Sequence, residues 1–323
     1  MFDVTAIGEL LIDFTPAGHS AQNRPLFEQN PGGGPANALA CLSRLGCTTA
    51  FIGKVGADQF GYSLKAAMDQ LGISTRGLVM TSSCHTSLAF VHLDERGERT
   101  FSFYRNPGAD LLLEPSELSY NLIDDCRIFH FGAVSMTADP ARQATLTAVR
   151  YAREQGKLIS FDPNLRLPLW ATEEIARQVI LQAIPLADVL KISEEELVFL
   201  TGETDMVRGA DSILRQNSLK LVLVTMGPRG AYARAASCEA WRPAYDVRTI
   251  DTTGAGDAFT GSFLYQILQS GKTVQSLTED DLTAFLAFSN ACGSLTTTRR
   301  GGFPAMPTLS EVEACLTGVP TLD

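Results

Sequence analysis

Asp251-Thr252-Thr253-Gly254-Ala255-Gly256-Asp257 ends an apolar-alternating stretch and opens a helical one, with two carboxylates around a run of small residues. A glycine-rich turn entering a helix aims unpaired backbone N–H groups at one spot, and the helix dipole makes that spot attractive to an anion. A phosphate suits it. Asp257 in the first helical turn then reads in two ways. It is a base held beside a phosphoryl group, or it is part of an ordinary capped turn in which an acid near the third position favours the dipole.

The rest of the chain narrows the choice. With 323 residues and 45% hydrophobic side chains it is long enough for one large α/β domain or two smaller ones with a packed core. A formal net charge of -10 argues against nucleic acid or an anionic membrane as the main partner and favours small molecules. The seven cysteines (Cys41, Cys47, Cys84, Cys126, Cys238, Cys292 and Cys315) are odd in number and never in a metal-ligand spacing, so neither a disulfide framework nor zinc is expected. The chain opens directly on Asp3-Val4-Thr5-Ala6-Ile7 without a basic region or a long apolar run, so a cytoplasmic protein is expected.

Short apolar runs alternate with helical patterns. Strands are expected at residues 4–7, 49–55, 127–131, 158–161, 189–192 and 221–225, and helices starting near Pro35, Asp58, Pro140, Glu173, Glu194, Gly256 and Asp281. This alternation predicts a doubly wound, mostly parallel sheet with helices on both faces. Residues 11–30 and 86–104 break the rhythm: both are strand-like with no helix between, and Asp94-Glu95-Arg96-Gly97-Glu98 reads as a polar hairpin tip. With no linker or repeat, the expectation is a single α/β domain over 1–323, carrying a small β-sheet lid inserted at about 12–31 and 86–110.

Ligands of open parallel sheets bind beyond the carboxyl ends of the strands, where loops meet helix starts. Asn30-Pro31-Gly32-Gly33-Gly34-Pro35-Ala36-Asn37 lies in such a loop. It is either a plain entry into a helix or a close backbone approach to a ligand, with Asn37 offering both donor and acceptor to a hydroxyl. Asp13 is either a solvated acid or an acceptor for sugar hydroxyls. Asp162-Pro163-Asn164-Leu165-Arg166 is an Asx turn with a surface arginine, or it puts Arg166 on a polar substrate. Thr225 to Gly230 is a tight turn or a nucleotide lip. The competing signatures are missing. No GxxxxGK[ST] occurs, Phe259 spoils a dinucleotide fingerprint, and neither HExxH nor GxSxG is present. The four histidines are dispersed.

Taken together, Pro31-Gly32-Gly33-Gly34-Pro35-Ala36-Asn37 and Asp251 to Asp257 resemble the two signatures of the ribokinase-like (PfkB) carbohydrate kinases, in order and over essentially the whole chain. Within that family, Gly8-Glu9-Leu10-Leu11-Ile12-Asp13-Phe14, Phe103 to Asp110 and Asp162 to Trp170 look most like fructokinases. The resemblance implies a doubly wound α/β domain with a β lid. It implies that Asp257 takes the proton of the attacking sugar hydroxyl, and that Gly254, Ala255 and Gly256 form the anion hole. Asp13, Gly33, Gly34, Asn37, Arg105 and Arg166 would hold the sugar. Lys191, Ser193, Thr225, Gly227, Gly230 and Asn290 fall on the nucleotide side. Glu196 matches the Asn-x-x-Glu element that organises Mg²⁺ and its waters, although Ser193 stands where asparagine is usual. Asp251, Thr253, Thr296, Arg299 and Gly301 match a loop that binds K⁺ in many members, although Ala305 replaces a polar ligand there.

The resemblance thus implies an ATP-dependent fructokinase using ATP and Mg²⁺, with K⁺ as a further ligand of the family's loop. Two alternatives stand beside it. A 2-keto-3-deoxygluconate kinase would run the same chemistry and pair its substrate's carboxylate with Arg105 or Arg166. A catalytically silent sugar-binding regulator has no need of the base at Asp257. Exposed lid strands further suggest a homodimer.

Overall fold

The computed structural model describes residues 1–93 and 99–322; the expected hairpin tip lies outside them. In chain order the strands are β1 (Phe2–Ile7), β2 (Leu11–His19), β3 (Pro25–Gly32), β4 (Thr49–Gly56), β5 (Ser74–Thr81), β6 (Leu88–Leu93), β7 (Arg99–Tyr104), β8 (Cys126–Gly132), β9 (Leu158–Asp162), β10 (Val189–Ser193), β11 (Leu221–Thr225), β12 (Ala231–Ala235) and β13 (Glu239–Arg242). The helices are α1 (Gly34–Arg44), α2 (Gln59–Gln70), α3 (Tyr120–Asp124), α4 (Ala141–Glu154), α5 (Glu173–Ala183), α6 (Glu194–Thr201), α7 (Met206–Gln216), α8 (Ala255–Ser270), α9 (Glu279–Thr296) and α10 (Leu309–Gly318).

Nine strands form one sheet in the order β13-β12-β11-β10-β9-β8-β1-β4-β5, parallel from β11 to β5 and closed at the other edge by the antiparallel β12 and β13. The period-2 alternation divides its side chains between two cores. Val4 and Ala6 of β1 pack with α1, α2, α8, α9 and α10, while Ile7 packs on the opposite face with α3 to α7. Phe131 and Phe161, on adjacent strands of that second core, stack with ring centroids 4.3 Å apart. Each buried phenyl contributes about 1.5–3 kcal/mol by removal from water. All seven cysteines are free.

The second sheet has four strands in the order β3-β2-β6-β7, with β2 and β6 parallel and the outer pairs antiparallel. Its alternation is also two-faced. Asp13, Ala89 and Phe103 share one face, while Phe14, Phe90 and Ser102 share the other. The chain passes between the two sheets four times: at residues 8–10, at Gly33, over residues 82–87 and just after Tyr104. β1 pairs with β4 on one side and with β8 on the other, so the strand order reverses at β1. Crevices of α/β sheets open at such a reversal, and the first two crossings lie there.

Candidate active site

Most helices start on a side chain that satisfies their first N–H groups. Asp58, Thr172, Ser193, Asp205, Thr278 and Thr308 all cap in this way. α1 and α8 start instead on Gly33 and Gly254, with no side-chain cap. Gly254 has φ 79°, a left-handed conformation that glycine adopts without strain. Gly33 has φ 123°, and a Cβ on it would stand 2.3 Å from the Glu9 carbonyl oxygen. Both helix starts border a cavity of about 810 Å³ between the two sheets, whose wall includes Asp13, Gly33, Gly34, Asn37, Asn164, Arg166, Lys191, Ser193, Glu196, Thr225, Gly254, Gly256 and Asp257.

Asp257 sits at the centre of this wall, in the first turn of α8. Asn37 Nδ2 donates to its Oδ2 at 2.8 Å, and Asn164 Nδ2 donates to its Oδ1 at 3.3 Å. Burial pushes its carboxyl up to about 6, Asp162 adds to the rise, and the Asn37 hydrogen bond with the Lys191 and Arg166 charges opposes it. Burial likewise pushes Asp13 up to about 7, against the pull of Arg166. Lys191 Nζ lies 3.1 Å from Asp162 Oδ2, which also accepts from Thr260 Oγ1 at 3.0 Å. Burial alone would lower the Lys191 ammonium, yet Asp162, Glu196 and Asp257 outweigh it and hold the ammonium above its ordinary value.

Glu196 closes a capping box at the start of α6. Ser193 Oγ accepts from Glu196 N at 3.1 Å, and Glu196 Oε2 accepts from Ser193 N at 2.7 Å. Glu196 Oε1 accepts from Leu165 N at 2.6 Å, tying α6 to the loop that carries Asn164 and Arg166. Burial raises this carboxyl, with Lys191 opposing. A second cavity of about 310 Å³ adjoins the first, sharing Thr225, Thr252 and Gly256 with it and adding Gly227, Gly230, Ala255 and Asn290. Asn290 Nδ2 donates to the carbonyls of Arg242 and Pro243, and Ala255 N donates to the Thr252 carbonyl at 3.3 Å.

Two of the expected site residues engage their side chains outside the lining of this cavity. Arg105 does not reach the cavity. Its Nε and Nη2 donate to Asp110 Oδ2 at 2.8 and 2.6 Å, its Nη1 donates to Thr137 Oγ1 and its Nη2 to the Val134 carbonyl, leaving the side chain 3% exposed. The partner lies five residues along the chain, brought to the guanidinium by the short helical turn at Ala109–Leu112. Arg299 also turns away, pairing its side chain with Glu311 on α10. The remainder of that loop stays together: Asp251 Oδ1 accepts from Thr253 N at 2.8 Å and Oδ2 from Gly301 N at 3.1 Å, while Thr296 Oγ1 donates to the Cys292 carbonyl. Sequence reasoning passed over Glu9, Asp162 and Asn164 as site residues, although the last two stand in a quoted motif beside Arg166.

Residues 1–309 match the family described as pfkB family carbohydrate kinase. Probable fructokinase-4 of Arabidopsis thaliana is 43% identical over 317 residues, covering 98% of this chain and 97% of its own. The crystal structure of fructokinase from Xylella fastidiosa with bound ATP superposes with a TM-score of 0.89 at 35% identity, covering 98% of each chain. A fructokinase double mutant from Vibrio cholerae O395, in its fructose, ADP and potassium ion bound form, superposes with a TM-score of 0.87 at 31% identity, again over 98% of each chain.

Proposed function

The chain belongs to the pfkB family of carbohydrate kinases, and from that membership we propose that it transfers the γ-phosphoryl group of ATP to D-fructose, giving fructose 6-phosphate. The observation that carries this reading is the position of Asp257, between two amide donors and next to Gly256, which borders both cavities. The sugar occupies the larger cavity and the nucleotide the smaller. The sugar oxygen forms its bond to Pγ as the bond from Pγ to the β-bridging oxygen breaks, and the hydroxyl proton goes to Asp257. Such transfer needs positioning and charge stabilisation more than covalent chemistry. The backbone N–H groups of Gly254 and Gly256 at the start of α8 meet the charge on the transferred group, aided by the helix dipole. Ala255 N already has the Thr252 carbonyl as a partner and contributes less.

The cavity suits a neutral sugar better than a sugar acid. Glu9, Asp13, Glu195, Glu196 and Asp257 bring five carboxyl groups to its wall; of the two cations there, Lys191 is held by Asp162, and Arg166 has no ion-pair partner among the described residues. Fructose is therefore favoured over 2-keto-3-deoxygluconate. A complete base and helix start argue against a silent regulator. A panel of sugars with coupled detection of ADP tests all three readings: fructose is expected to give turnover and the keto-acid little. Turnover with the keto-acid alone would reverse the assignment, and none with any sugar would end the kinase reading.

Among the described residues no three His, Cys, Asp or Glu side chains gather into a metal site, and both Glu196 oxygens already accept backbone N–H groups. Glu196 thus fits Mg²⁺ through its water shell, the ion arriving with the nucleotide and neutralising charge on its phosphates. The buried Asp251 carboxylate, bonded to Thr253 N and Gly301 N, fits a loop that surrounds K⁺ with oxygens. The small sheet acts as a lid, within a single domain, that excludes water from the transfer. Its outer face carries Phe27 and Tyr104, 40% and 67% exposed, flanking Phe90 with centroids 5.6 and 5.5 Å away. Open sheet edges and an exposed aromatic patch favour a homodimer through this face. Sedimentation equilibrium at micromolar concentration is expected to give twice the 34.8 kDa chain mass, and a monomer would overturn the dimer. Free cysteines accord with a cytoplasmic location.

A further inference from the structure

Glu9 lies at the first crossing between the sheets, and the reaction above makes no use of it beyond its charge. The residue is 3% exposed and borders the larger cavity. Oε1 accepts from Gly34 N at 2.7 Å, taking the place of a side-chain cap at the start of α1. Oε2 is buried without a partner. Buried polar atoms nearly always find one, so an orphan at the wall of a substrate cavity points to a group that the substrate brings. The place is specific. A Cβ on Gly34 would stand 3.5 Å from Glu9 Oε1 and 3.5 Å from Asp257 Oδ1, so the two carboxyls flank one glycine and lie no farther apart than twice that distance. Two hydroxyls of one hexose span such a gap. A Cβ there would stand only 2.5 Å from Asn164 Nδ2, so the position takes no side chain.

We propose that Glu9 is an acceptor-positioning residue: Oε1 fixes Gly34 and Oε2 hydrogen-bonds a second sugar hydroxyl, holding the reactive one against Asp257. This rests on the larger cavity being the sugar site. Burial pushes the Glu9 carboxyl up to about 7, so near neutral pH it presents both a donor and an acceptor to a hydroxyl. The neutral variant Glu9→Gln keeps both capacities.

The test uses the sugar that the wild-type enzyme phosphorylates best and its singly deoxygenated analogues, assayed with Glu9→Ala and Glu9→Gln. E9A is expected to raise the sugar KM about tenfold, the worth of one such hydrogen bond, with the ATP KM within about twofold of wild type. E9Q is expected to restore most of the loss. One deoxy analogue, poor with wild type by about the same factor, is expected to lose nothing further with E9A. Thermal melting reports whether each variant folds, and Glu9→Asp, which withdraws the carboxyl by one methylene, enters the same cycle if E9A does not. Equal losses for every analogue in wild type and variant, or ATP and sugar KM rising together, would overturn the proposal. Wild-type enzyme that phosphorylates no sugar would instead remove the sugar-site reading on which it rests, and the proposal with it.

Discussion

Asp257→Asn is expected to lower kcat by about 10²- to 10⁴-fold, the usual contribution of a positioned general base. The dissociation constants for ATP and sugar should change little, because asparagine is isosteric and Gly254, Gly256 and the cavity wall are untouched. The amides of Asn37 and Asn164 hold the carboxylate from two sides, so its orientation is fixed before substrate arrives. Pre-orientation is what makes a weak base effective beside a hydroxyl that scarcely ionises in water. The wild-type pH profile carries the same information. A carboxyl raised to about 6 by burial and by Asp162 is protonated below that value and cannot accept a proton. Wild-type kcat should therefore rise with pH through about 6 and level above it. The Asn variant should lack this limb. Near-wild-type turnover in that variant, or an unchanged limb, would remove Asp257 as the base.

Asp110→Ala is expected to destabilise the protein by about 3–5 kcal/mol, the cost of leaving a buried charge without its partner. Arg105 is 3% and Asp110 1% exposed at the side chain, and among the described residues the Thr137 hydroxyl and the Val134 carbonyl would remain as hydrogen-bond acceptors for the guanidinium. Ser87 donates to the other oxygen of Asp110, so the substitution also frees the segment that leads into β6. Equilibrium urea unfolding measures the loss. Replacing both partners, Arg105→Met with Asp110→Leu, should recover much of it, since two apolar side chains leave no charge to desolvate. A single substitution costing under about 1 kcal/mol, the range of exposed ion pairs, would show that water reaches the pair.

The parallel sheet was legible because its strands are short apolar runs and its helices start on readable caps; the starts near Asp58, Glu173 and Glu194 match α2, α5 and α6. β5 escaped notice because Ser74-Thr75-Arg76-Gly77 lacks an apolar alternation and pairs on one side only. β12 reads Ala-Tyr-Ala-Arg-Ala, too small and polar to stand out from a turn. α7 was within reach, since Asp205 caps it and Ala210, Ile213 and Leu214 make one buried face. The site was legible where chemistry is local, as in Asp251 to Asp257. It was not legible where partners are remote: Glu9 meets Gly34 across 25 residues, and Asn164 meets Asp257 across 93. The Arg105–Asp110 pair was hidden for a related reason. The sequence shows a charge on an inserted strand, and only the fold shows that Asp110 reaches it first.

The four crossings between the sheets have a mechanical consequence. A plate joined to its base by one link can swing freely like a door, whereas a plate joined by four short links has fewer ways to tilt. The links here are at Glu9, at Gly33, at Ser87 and at Arg105, and hydrogen bonds couple them in pairs: Glu9 to Gly34, and Ser87 and Arg105 through Asp110. Any tilt of the small sheet would thus have to carry Glu9 together with Gly34, and Ser87 together with Arg105, or break the hydrogen bonds that join them.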